Sequence, residues 1–128
     1  MRVPFHNKAL FALAVTVGLT GCASGGGSSN RPPGASQDRI VQEEFLEEDD
    51  IDAYQAIQRL RSPWLRVRNQ VEEPVVYVNS ARWGYLNELR SIRARGVALA
   101  VRINAADATT RYGTGHTGGA ILITMSGN

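Results

Sequence analysis

The stretch Ala105-Ala106-Asp107-Ala108-Thr109-Thr110-Arg111-Tyr112-Gly113-Thr114-Gly115-His116-Thr117-Gly118-Gly119-Ala120-Ile121-Leu122-Ile123-Thr124 decides how this chain folds. As a string, Gly113-x-Gly115-x-x-Gly118 matches the phosphate-cradling pattern of dinucleotide sites. That pattern needs a strand before the glycines and a helix after them, because the pyrophosphate rests on amides at the helix start. Here the flanks run the other way. Residues 107–112 form a short helical run, with Asn104 or Asp107 as N-cap and Gly113 just past its end. Ala120–Met125 is apolar, β-prone and one strand long. A kinase-type glycine loop does lie between strands, but phosphoryl transfer needs a lysine, and the one lysine, Lys8, sits near the N-terminus. The segment reads as a helix-to-strand joint.

Upstream of the joint, Val97, Leu99, Val101 and Ile103 alternate with Ala98, Ala100 and Arg102, a period-two pattern that predicts a strand. Leu86, Leu89 and Ile92 recur every third residue between Gly84 and Gly96, a short amphipathic helix with arginines on its other side. Pro74-Val75-Val76-Tyr77-Val78-Asn79 is almost continuously apolar and predicts a strand buried on both faces. Asp52-Ala53-Tyr54-Gln55 has the form of a capping box, and Ala53, Ile57, Leu60 and Trp64 follow at helical spacing until Ser62-Pro63 halts the run. The acidic residues before it (Glu43, Glu44, Glu47, Glu48, Asp49, Asp50) and Arg59 and Arg61 at its end suit the helix dipole. The acidic run lacks the ligand alternation and central glycine of a calcium loop, so it reads as a solvated helix entry rather than a metal site. The expected fold is α+β: a mixed sheet of three to four strands with about three short helices. Around ninety residues bury a modest core.

The N-terminal part carries no fold of this kind. Arg2 and Lys8 precede an apolar run over residues 9–18, too short for a bilayer-spanning helix and suited to the core of a signal peptide. Leu19-Thr20-Gly21-Cys22 then resembles a bacterial lipoprotein signal, with Cys22 the residue that is lipidated before cleavage on its N-terminal side. Cys22 is the single cysteine, so no internal disulfide is available to it. The alternative is an ordinary secretory peptide cut near Ala23. With Ala23 after the cysteine, the resemblance implies an outer-membrane anchor facing the periplasm. Residues 22–39 are rich in glycine, serine and proline, a flexible tether. Of fourteen basic residues two, Arg2 and Lys8, leave with residues 1–21, so basic and acidic residues balance in the mature chain. A general attraction to nucleic acid is therefore not expected.

The order of elements and several motifs over residues 40–125 resemble the plug domain of TonB-dependent outer-membrane receptors. Family plugs open on a strand with two acidic residues, here residues 40–45. A helix follows at residues 53–60, then a Pro-Val-x-Val-x-Val-Asp-Gly strand at residues 74–79. Next come an isoleucine-led segment and strand at residues 92–103 and a short helix ending in Tyr-Gly, here Tyr112-Gly113. The closing Gly-Gly-Val-Ile-x-Ile-Thr strand is Gly118 to Thr124 here. The hairpin Asp-Gly is Asn79-Ser80, the usual proline after the isoleucine is Arg93, and Arg102 stands at an apolar position. The resemblance implies a small plug-like module without a barrel and with no cofactor or metal. Its implied partner is an envelope protein, either an outer-membrane barrel or a TonB-type energy transducer.

Three functional classes follow. A binding module would use Arg82, Trp83 and Tyr85, exposed aromatic and cationic residues of the type that dominates interfaces, whereas Trp64 falls in core phase. An anion-binding protein would use the loop residues Gly113, Gly115, His116 and Gly118, although glycines there also serve a tight turn. An enzyme would use His116, the one histidine after the leader, as general base; no cysteine or lysine nucleophile accompanies it, and a lone loop histidine otherwise reads as polar surface.

Overall fold

A computed structural model describes residues 30–127. The leader and Cys22 lie outside the described residues. The fold is α+β, with five strands in one mixed sheet: β1 (Arg39–Val41), β2 (Val75–Val78), β3 (Ala81–Gly84), β4 (Val97–Ile103) and β5 (Ala120–Met125), in the order β1-β4-β5-β2-β3. Only the β2–β5 pair is parallel. Three α-helices, α1 (Gln42–Leu46), α2 (Ala53–Arg61) and α3 (Ala105–Tyr112), accompany the sheet, with short 3₁₀ segments between α2 and β2 and between β3 and β4.

The main core lies on one face of the sheet. Ile40, Val76, Val78, Val97, Ala100, Ile121 and Ile123 point from the strands toward Phe45 of α1 and toward Ala53, Ala56 and Ile57 of α2. Full burial of side chains such as Phe45 and Ile57 stabilises the fold by roughly 1.5–3 kcal/mol each. Asp52 caps α2 by accepting the Gln55 amide at 2.8 Å, and Asn104 caps α3 by accepting that of Asp107 at 2.9 Å. Helix α3 covers part of the opposite face, where Ala108 and Tyr112 meet Val75, Tyr77 and Ala120.

Four details depart from the sequence reading. The strand expected over residues 40–45 is only Arg39–Val41, because Gln42 begins α1. The helix expected between Gly84 and Gly96 is instead a 3₁₀ segment, Leu86–Ser91, and a second short one, Ala94–Gly96. A recurrence of three is the 3₁₀ period, and it buries Leu86, Leu89 and Ile92 together. Strand β3 adds a strand beyond the expected three to four. It pairs with β2 across Asn79-Ser80, whose φ values of 48° and 71° give the left-handed backbone that tight hairpin turns require.

The fourth departure concerns β4. Val97 pairs with Met125 but Leu99 with Thr124, so Ala98 is an extra residue that bulges out of the ladder. A one-residue slip inverts the facing of everything after it. Val97 and Ala100 therefore fill the main core, while Leu99, Val101 and Ile103 turn to the opposite face and remain partly exposed. Arg102 is carried to the main-core side, at the open end of that layer.

Candidate functional site

At the β3 edge of the sheet two large hydrophobic side chains, Trp83 and Tyr85, stand at 50% and 46% of full exposure. Their position follows from β3 being the sheet edge. Arg82 pairs with Tyr77 and Gly84 with Val76, which leaves Trp83 as an extra residue between them. Such a bulge interrupts the ladder and re-aims a side chain, and at an edge it also discourages strand-to-strand aggregation. The Arg82 guanidinium lies 5.9 Å from the centre of the Tyr85 ring, so cation and aromatic stand together. The amide of Leu86, just after Tyr85, is tied to the Glu73 carboxylate at 3.0 Å, which fixes the chain leaving the ridge. The three residues singled out from the sequence thus lie along one exposed ridge of the hairpin, Arg82 against Tyr85 and Trp83 at the bulge.

Two amides of the glycine loop are already engaged within the chain. The Gly113 amide donates to Thr109 O at 2.8 Å and the Gly119 amide to His116 O at 2.9 Å, so both are spent within the chain. A side chain at Gly118 would overlap the backbone of Glu72 and Glu73, and one at Gly119 the carbonyl of Ile103. These two glycines are required by close packing. Gly113 and Gly115 border open space and carry positive φ, serving the turn.

His116 is buried, at 5% exposure, rather than lying on the polar surface. Its Nδ1 is 2.8 Å from the Gly113 carbonyl, which can only accept, so Nδ1 carries a proton. In the neutral ring Nε2 then accepts from the Tyr77 hydroxyl at 2.9 Å. Tyr77 in turn stacks on Tyr112, with ring centres 4.1 Å apart. Both imidazole nitrogens are committed, and the ring pins the loop against the smaller core cluster.

Sequence reasoning missed a second buried polar centre. Glu44 and Arg61, expected as parts of a solvated acidic entry and a helix end, meet at 2.9 Å with side chains almost fully enclosed. The Arg61 guanidinium also donates to the carbonyls of Ser36, Leu60 and Arg39. It staples α2 to the N-terminal segment and to α1. The remaining acidic residues of the run are exposed or partly so, and Glu48 pairs with Arg59 at 2.6 Å on the surface. Among the described residues no group of three metal-ligating side chains converges, and no helix is long and apolar enough to cross a membrane.

Compared with protein-family models, with curated proteins and with solved structures, the chain gives no match.

Proposed function

We propose that the protein is a non-catalytic docking module of the bacterial envelope. In this reading it is held at the outer membrane by lipid on Cys22, faces the periplasm, and presents a plug-like domain to a protein partner, a barrel or a TonB-type transducer. The observation that carries it is the Arg82-Trp83-Tyr85 ridge: two half-exposed aromatics and a cation, re-aimed by a bulge on a sheet edge. Aromatic and arginine anchors of this kind supply most of the energy of protein interfaces. A large aromatic side chain buries roughly 150–250 Å² when covered. The commitment of both His116 nitrogens supports a binding role over an enzymatic one. The Gly/Ser/Pro-rich tether expected after Cys22 would give the domain reach from the bilayer surface; it is shorter than the expected residues 22–39, since Ser36, Gln37 and Arg39 are hydrogen-bonded into the domain by Arg61 and Trp64.

Chemical crosslinking in intact cells, comparing the native chain with Cys22→Ala, tests the reading. One envelope protein recovered with the native chain, and lost when the anchor is removed, is the expected result. Recovery of the same proteins from Cys22→Ala, still bound to membrane and without accumulation of unprocessed chain, would contradict the anchoring.

A further inference from the structure

A cavity of about 410 Å³ opens between the segment after the Ser62–Leu65 turn and the end of β4, and its wall includes Arg66, Arg68, Glu72, Arg102, Ala105 and Thr117. Three arginines line it, from two distant parts of the chain. Arg66 and Arg68 arrive on the segment that leaves the buried Trp64. Arg102 arrives because the bulge at Ala98 turns it onto this side of the sheet. Neither ion pair formed among the described residues, Arg59–Glu48 or Arg61–Glu44, uses any of the three.

Like charges gathered at one cavity repel one another, and an anion seated among them reverses the sign of that interaction. A planar guanidinium fork matches the oxygens of a phosphoryl group two at a time, which a lysine ammonium cannot do. The Thr117 hydroxyl is already donated to Val71 O, leaving recognition to the arginines. Glu72 is the one carboxylate in the wall and opposes an anion. The cavity is far larger than a single phosphoryl group, so it has room for the alcohol part of an ester.

We propose that this cavity binds a phosphate ester through Arg66, Arg68 and Arg102. Two sources share that chemistry: a free small phosphate ester and the headgroup of an anionic phospholipid. The site is separate from the Trp83 ridge, so loss of either leaves the other to be measured.

The test uses the full-length chain carrying Cys22→Ala, titrated with glycerol phosphate and followed by amide chemical shifts. In parallel, sedimentation with phosphatidylglycerol vesicles is compared with phosphatidylcholine vesicles. Saturable shifts at Arg102 and Ala105 are expected with glycerol phosphate if the ester is free. Retention by phosphatidylglycerol alone, without such shifts, assigns the site to the headgroup. In either case Arg102→Gln or Arg68→Gln weakens binding about tenfold or more, as loss of a charge-assisted hydrogen bond requires, and Glu72→Gln strengthens it. Trp83→Ala leaves it unchanged. Binding to neither probe overturns the proposal. So does binding that both arginine variants retain in full while unfolding at the native temperature, or that weakens in Glu72→Gln.

Discussion

Replacing Glu44 by glutamine leaves the Arg61 guanidinium charged and enclosed with no counter-charge. The wild-type carboxylate meets it with both oxygens, at 2.9 and 3.2 Å, and its Oε2 also accepts the Val41 amide at 3.3 Å. Removing one member of a buried pair costs about 3–5 kcal/mol, because the survivor keeps its desolvation penalty. Glutamine retains the volume and one acceptor, so the lower end, about 3 kcal/mol, is expected for Glu44→Gln. For a domain of this size that corresponds to a fall in Tm of roughly 12–24 °C. It is a large share of the roughly 5–15 kcal/mol that holds such domains folded. Trp64 is the reporter: it is buried, and its indole Nε1 donates to Gln37 O at 2.9 Å beside the staple. A Trp83→Phe background removes the other tryptophan from the fluorescence signal. Arg61→Met is expected to cost a similar amount, while the double variant Glu44→Gln/Arg61→Met costs less than the sum because neither charge is stranded. The carbonyls of Ser36 and Arg39, on exposed residues, can turn to water. A loss below about 1 kcal/mol for Glu44→Gln, with the double variant equal to the sum, would refute the stranded-charge reasoning.

Four further substitutions have defined outcomes. Ser80→Gly is expected to stabilise by about 1 kcal/mol in urea unfolding, since Ser80 holds φ at 71° and glycine relieves that strain in a hairpin turn. Gly118→Ala should destabilise by roughly 2 kcal/mol or more by overlap with the Glu72 backbone, whereas Gly115→Ala, which borders open space at φ 93°, costs about 1–2 kcal/mol from backbone strain alone. His116→Ala removes the partners of Gly113 O and Tyr77 Oη and should cost about 1–3 kcal/mol in thermal unfolding, with partner crosslinking unchanged below the melting transition.

The parts of the fold that were legible from sequence are those whose cause is local. The Asn104 cap, Gly113 at the end of α3 and the apolar run Ala120–Met125 stand where residue chemistry places them. Strand β3 gave no such signal: Ala81-Arg82-Trp83-Gly84 is an exposed edge with no buried face, so no apolar alternation marks it. In β4 the alternation was present, but the bulge at Ala98 inverted which residues it buries, and a bulge depends on the partner strand. The Glu44–Arg61 pair joins residues 17 positions apart in different helices, a relation that neither helix pattern contains. His116 looked like loop surface because its burial is supplied by Tyr77 and Tyr112 from other elements. The Arg82-Trp83-Tyr85 ridge was readable as three residue types in a row, and only the hairpin and its bulge explain why they share one exposed edge.

Docking through that ridge is tested most directly by a photoactivatable crosslinking amino acid placed at position 83 in intact cells, with position 58 on the exposed side of α2 as control. The expected result is a single envelope protein captured from position 83, none from position 58, and loss of capture when Tyr85→Ala and Arg82→Ala are added. Equal capture from both positions, or undiminished capture in that double variant, would contradict it.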